Sequence, residues 1–225
     1  MRILELMAGT GSVGKVAKKL GWEVVSLDIS DRFHKGQIDI ITDILDWDYQ
    51  EQYKEGYFDI IWASPPCASF SCLQYCNLGK GKTYNDLEFK VLKEGLPLLM
   101  KCLEIITYFH PTYYFIENPQ TGTMKKFLGL PFYDVDYCKY GYDYRKRTRI
   151  WTNLKGFEGR KCEKKNPCEG SMNDGKYKHK VNFGRFGDTE TNKKNKTKLE
   201  ERYSIPSELI GDIFRTILIE NNHQD

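Results

Sequence analysis

The opening of the chain constrains its fold most. A short apolar run from Arg2 to Leu6 leads into a glycine-rich turn (Ala8, Gly9, Thr10, Gly11) and then a stretch with Val13, Val16, Ala17 and Leu20 at helical spacing. A second β-type run, Glu23 to Ile29, completes a βαβ unit. Further strand-like runs at Tyr57 to Ala63 and Tyr113 to Ile116 flank Leu98 to Phe109, which carries helical periodicity. Strands alternating with helices predict a doubly wound, mainly parallel α/β sheet covered on both faces. Leu209, Ile210, Ile213, Phe214, Ile217 and Leu218 predict a C-terminal helix, with Ser204 and Pro206 as start signals.

The 225 residues suffice for one full domain with a small appendage, and 14% aromatic content excludes disorder as the main state. No apolar run approaches the ~18 residues of a membrane span, and the N-terminus lacks the apolar stretch of a secretory signal. An intracellular, reducing compartment is therefore expected, with the seven cysteines as thiols, since their number is odd and their spacing unpaired. The net charge of +3 says little, but its distribution is uneven. Residues 155–198 hold 13 Lys and Arg against 6 Asp and Glu, poor in apolar residues. The expected organisation is a catalytic core over 1–154, a short basic segment over 155–198 and a helix over 199–225 that packs back on the core.

The glycines let the backbone turn tightly and approach a ligand, and a helix N-terminus at Ser12 is expected to offer N–H groups. A merely structural turn would look the same, and Gly14 leaves a dinucleotide fingerprint formally open. Asp28, at the end of the second strand, can accept both hydroxyls of a ribose. Asp43, after a possible third strand, can accept the exocyclic amine of an adenine, so the pair implies an adenosyl ligand.

The fourth strand ends in Ser64, Pro65, Pro66 and Cys67. Two prolines stiffen the loop and set the thiol at the C-terminal edge of a parallel sheet, where ligands bind in such folds. Cys72, Cys76, Cys102 and Cys138 read as buried, inert thiols. The fifth strand delivers Glu117 and Asn118 to the same edge. Arg147 and Arg149 alternate as on a strand, so both are expected to face one pocket with the thiol and the carboxylate.

Four motifs in this order resemble the cytosine-5 DNA methyltransferases, which use S-adenosylmethionine. A glycine-rich loop, a Pro-Cys nucleophile, a Glu-Asn-Val segment and a Gln-x-Arg-x-Arg segment of that family read here as Met7 to Gly11, Pro66-Cys67, Glu117-Asn118 and Arg145-x-Arg147-x-Arg149. Pro119 replaces Val, and Arg145 replaces Gln. The resemblance covers residues 1–153 and 200–220 and implies a Rossmann-like S-adenosylmethionine-dependent fold with a small basic insertion. It implies Cys67 as nucleophile toward carbon 6 of a cytosine flipped out of double-stranded DNA, and Glu117 as hydrogen-bond partner or proton donor for N3. It further implies Arg147 and Arg149 as anchors of the base and its phosphate, and Asn118 as support of the Pro-Cys loop. On the cofactor side it implies Met7, Ala8, Gly9 and Gly11 around the methionine moiety, Asp28 with Ile29 at the ribose, Asp43 with Ile44 at the adenine, and Pro66 beside the sulfonium. A nearby cation or helix end is needed to raise the thiolate fraction. Residues 68–82 read either as a loop closing over the flipped nucleotide or as a plain connection.

The basic segment stands where the family carries a large target-recognition domain, and Tyr203-Ser204-Ile205-Pro206 only loosely matches its Gly-Asn-x-Val-Pro segment. An amino-methyltransferase shares the Ser-Pro-Pro loop but not Cys67, Glu117 and the Arg pair. A transfer-RNA relative carries a Cys-Phe-Thr tripeptide missing here, and a non-catalytic binding relative is a further alternative. Cys162, Cys168 and His179 invite a metal reading. Their spacing matches no zinc pattern and a fourth ligand is lacking, so no metal is expected.

Overall fold

The computed structural model describes residues 1–168, 171–172, 178–179 and 199–222. Seven strands form one sheet: β1 Arg2–Leu6, β2 Glu23–Asp28, β3 Ile40–Ile41, β4 Ile60–Ala63, β5 Tyr113–Pro119, β6 Phe132–Asp136 and β7 Arg147–Thr152. Their spatial order is β3-β2-β1-β4-β5-β7-β6. The first five are parallel, as expected, while β7 runs antiparallel between β5 and β6. Strand order reverses between β1 and β4, which creates a crevice at the C-terminal strand ends.

Helix α1, Ser12–Lys19, buries Val13 and Ala17 against one face of the sheet. The C-terminal helix Ser207–Asn222 joins it there with Leu209, Ile210, Ile213, Phe214 and Ile217, and Trp22 meets Phe214 at 4.6 Å between ring centroids. Leu20 and Leu218, which the periodicity counted into these apolar faces, are exposed. Helix α2, Tyr49–Gln52, and the long helix Leu96–Phe109 cover the other face, where Leu99, Cys102, Ile105 and Phe109 pack on Leu4, Ile61 and Ile116. Burial of apolar strands on both faces accounts for their near-continuous hydrophobic runs.

Beyond β7 a two-stranded ribbon pairs β8 Ser171–Met172 with β9 Lys178–His179. Much of the basic segment, residues 169–170, 173–177 and 180–198, lies outside the described residues, as does the end of the chain, residues 223–225. No helix among the described residues is long and apolar enough to cross a membrane.

Candidate active site

The turn after β1 runs through Met7, Gly9 and Gly11 with φ of 54°, 53° and 62°. This left-handed region disfavours residues with a Cβ. At Gly11 the restriction is also steric, since a Cβ would lie 2.7 Å from the His34 ring. Beside Gly9 that space is open. Ala8 is buried, its N–H donating to the Leu27 carbonyl at 3.0 Å.

Asp28 reaches this turn from the end of β2. The Gly9 N–H donates to Asp28 Oδ2 at 2.8 Å, and the Ser30 N–H to Oδ1 at 3.1 Å. The Thr42 N–H donates to the Asp28 carbonyl at 3.0 Å and brings the β3 end alongside. There Asp43 accepts from the Leu45 N–H at 3.0 Å, with Ile44 buried and Ile29 exposed. The structure thus gathers the predicted cofactor residues of three adjacent strands on one rim.

The α1 N-terminus departs from expectation. Glu5, buried on β1, accepts the Val13 N–H at 3.1 Å on Oε1 and the Gly14 N–H at 2.8 Å on Oε2. Two donors expected to face a ligand are therefore already engaged. Burial pushes the Glu5 carboxyl up to about 7 against the pull of these two N–H groups. With these two N–H groups taken by Glu5, the α1 N-terminus has fewer donors to offer a diphosphate, which weakens the dinucleotide reading.

Helix α3, Cys67–Phe70, begins directly after Pro66 at the β4 end. Asn118 fixes the approach: buried on β5, it donates through Nδ2 to the Pro65 carbonyl at 2.8 Å. Gly95, just before the long helix, lets α3 settle, since a Cβ there would lie 2.8 Å from the Phe70 ring and 2.9 Å from Ser69. Residues 68–77 form short helical turns, with the Gln74 side chain donating to the Ala68 carbonyl, and a tight turn closed by a bridge between Leu78 and Lys82 follows.

Cys67 is half-buried, and burial pushes its thiol up. The Lys146 ammonium pulls it down, while the Glu117 carboxylate pushes it further up. Glu117 is itself buried; the Tyr137 hydroxyl donates to its Oε1 at 2.9 Å, and Lys146 Nζ stands 3.7 Å from the same oxygen. Lys146 rests 4.7 Å over the Tyr137 ring and donates to the Arg202 carbonyl at 3.2 Å. The cation that pulls the Cys67 thiol down is thus Lys146, a residue the sequence reading passed over.

The Arg pair stands differently from the expectation. Directly opposite residues of an antiparallel pair share a face, and Asn118 stands opposite Arg149 while Glu117 stands opposite Ile150. The alternation puts Arg147 and Arg149 on one face, as predicted, but not on the face of Glu117. Arg149 grips Asp134 with Nε to Oδ1 at 2.7 Å and Nη2 to Oδ2 at 2.9 Å, and stacks 3.5 Å from the Phe132 ring centroid. Arg147 is exposed.

The segment after Tyr203 closes the glycine-rich side. Ile205 N–H donates to Ser12 Oγ at 3.1 Å, Ser204 Oγ lies 2.5 Å from the Tyr142 hydroxyl, and Tyr203 stacks on Phe33 at 5.2 Å. Among the cysteines read as inert, Cys102 is buried in the core and its thiol is pushed up to about 12 by burial. Cys72 is half-buried, and Cys76, expected buried, is exposed on the helical turn Cys72–Asn77.

No protein-family model matches the chain. The chain is 42% identical over 186 residues to a protein of Frog virus 3 (isolate Goorha) described as "Probable DNA (cytosine-5)-methyltransferase", covering 80% of this chain and 84% of that one. Among solved structures it is similar to a prophage-encoded Escherichia coli protein assigned as a DNA modification methyltransferase, with a TM-score of 0.46 and 14% identity. That match covers 68% of this chain and 46% of the other. A SAM-dependent methyltransferase from Archaeoglobus fulgidus is similar at a TM-score of 0.34 and 18% identity, over 52% of this chain and 44% of the other. With close to half of its residues shared over four fifths of its length, the chain belongs to the DNA (cytosine-5)-methyltransferase family.

Proposed function

We propose that this protein methylates carbon 5 of cytosine in double-stranded DNA, with Cys67 as the nucleophile and S-adenosylmethionine as the methyl donor. The observation that carries this reading is one thiol at a strand end, flanked by Lys146 and Glu117, on a chain of this family.

The glycine-rich rim fits the donor. Gly9 leaves open the space a side chain would fill, and Asp28 and Asp43 present carboxylates for ribose hydroxyls and an amine. Met7, Ala8, Gly9, Gly11, Asp28, Ile29, Asp43, Ile44 and Pro66 would hold the donor, and the chemistry it supplies when bound is an electrophilic methyl group.

Carbon 5 of cytosine is a weak nucleophile. The Cys67 thiolate forms a bond to carbon 6, and the displaced π electrons raise the density at carbon 5 and the ring nitrogen. Lys146 favours the thiolate, and Glu117, held by Tyr137, hydrogen-bonds N3 and steadies the charge that develops there. Once carbon 5 carries its substituent, loss of the proton from that carbon to a base returns the electron pair, the bond from sulfur to carbon 6 breaks, and the thiolate is restored. Asn118 keeps the Pro65 carbonyl, and with it the thiol, in place.

The cytosine must leave the duplex to reach a thiol at a sheet edge, at a cost of about a few kcal/mol. Exposed Arg147 contacts the backbone phosphate, and Arg149 positions the rim through Asp134. Residues 1–154 carry the chemistry, and the basic segment 155–198 carries the backbone contacts. The test is incubation with labelled S-adenosylmethionine and duplex DNA, followed by nucleoside analysis. The label is expected in 5-methylcytosine; label in N4-methylcytosine, in N6-methyladenine or in RNA alone overturns the reading.

A further inference from the structure

Away from the candidate active site, Cys138, Cys162, Cys168 and His179 converge, with all four donor atoms within 4.8 Å of one another. Cys138 lies in the turn Tyr137–Lys139 that follows β6, at the edge of the main sheet. Cys162 and Cys168 flank the turn in which Glu163 and Asn166 pair, and His179 stands on β9. His179 Nε2 is 3.2 Å from Cys168 Sγ and 3.6 Å from Cys162 Sγ. The three thiols are buried and form a cluster apart from the two cores that flank the sheet.

These separations bracket those of a tetrahedral metal site. Ligand bonds of about 2.3 Å to sulfur and about 2.0–2.1 Å to nitrogen place neighbouring donors roughly 3.5–3.8 Å apart. Three thiolates and one imidazole are a soft donor set that selects zinc over calcium or magnesium. Supporting bonds hold the donors' backbone. The Cys162 N–H donates to Asp136 Oδ2 at 2.8 Å, and Asp136 is gripped by Arg145 through two bonds of 3.0 Å. Lys139 Nζ donates to the Pro167 carbonyl at 3.0 Å and to Asn166 Oδ1 at 2.8 Å, which ties the Cys168 turn to the Cys138 turn.

We propose that Cys138, Cys162, Cys168 and His179 bind one zinc ion in a closed, structural site. Four protein donors leave no position for substrate, so the ion's work is to fold. The segment after β7 is poor in apolar residues and gains from the metal the cohesion that its side chains cannot supply. Because Cys138 belongs to the sheet edge, the same ion staples the basic segment beside the strand that carries Arg147. The fourth ligand missing from the local spacing is Cys138, delivered by tertiary structure from an earlier element.

The test is the metal content of the full-length protein purified without chelators, by elemental mass spectrometry. One zinc per chain is expected, with loss in Cys138→Ser, Cys162→Ser and Cys168→Ser and retention in Cys76→Ser. Because the ligand variants can misfold, the wild-type protein stripped of metal is also titrated with Co(II). The visible absorption of tetrahedral thiolate-bound cobalt, abolished by added Zn(II), is expected. A chain that is purified without zinc and takes up neither ion, one that keeps its zinc in all three ligand variants, or a disulfide among these cysteines in the reduced-buffer preparation overturns the proposal.

Discussion

Lys146 sets what Cys67 can do. Burial and the Glu117 carboxylate hold the thiol protonated, and the ammonium opposes both. A thiol raised above its ordinary value is thiolate only on the alkaline side, so activity should climb with pH through the neutral range. Removing the cation moves that limb further up. Lys146→Met is therefore expected to lower kcat at pH 7 about tenfold, while Lys146→Arg keeps the limb near its original place. An unmoved limb in Lys146→Met would confine the lysine to packing. On the cofactor side, Asp28→Ala loses charge-assisted hydrogen bonds, so calorimetry should show S-adenosylmethionine binding weaker by roughly 1.5–3 kcal/mol. Unchanged affinity would remove Asp28 from the site. The placement of Cys67, Asn118 and Asp28 was legible in the sequence because each lies at or just past the C-terminal end of a strand, where side chains of this fold meet ligands. Lys146 and Glu5 were not, because their roles depend on the carboxylate or helix end that packing places beside them.

Elements show the same division. The parallel strands and the two long helices follow from apolar periodicity, whereas β6, the short alternating run after Pro131, carries too weak a signal to be distinguished from a loop. Missing β6 hides Asp134, and without Asp134 the engagement of Arg149 is invisible. The seating of α3 was equally hidden, because Gly95 matters only through its distance to Phe70 and Ser69. A Val side chain at that position has to push α3 away. Gly95→Val is expected to lower the unfolding free energy by about 1–3 kcal/mol in denaturant titration and to depress kcat more than KM, since Cys67 begins the displaced helix. Full stability together with full activity would show that α3 is not held there.

Across the whole molecule, a nearly neutral protein presents an acidic body and a basic segment that begins directly after β7. If that segment tracks the DNA backbone, log affinity falls with log salt by about 0.9 for each phosphate neutralised. Replacing exposed Lys161, Lys164 and Lys165 by Gln should flatten this slope and leave S-adenosylmethionine binding intact. An unchanged slope in titrations over several salt concentrations would place DNA contacts elsewhere on the molecule. On that reading so short a segment has few side chains with which to read base edges, and a short or degenerate target site is expected. The charge asymmetry was legible from composition, but the convergence of Cys138 with Cys162, Cys168 and His179 was not, because it spans two elements far apart in the chain. Covalent capture bears on the catalytic assignment without intermediaries. DNA carrying 5-fluorocytosine cannot lose fluorine as a cation, so with S-adenosylmethionine present the bond from Cys67 to carbon 6 should persist as an adduct on denaturing gels. The adduct should map to Cys67 by peptide mass spectrometry and vanish in a folded Cys67→Ala variant; an adduct at another residue, or normal methylation by Cys67→Ala, would contradict it.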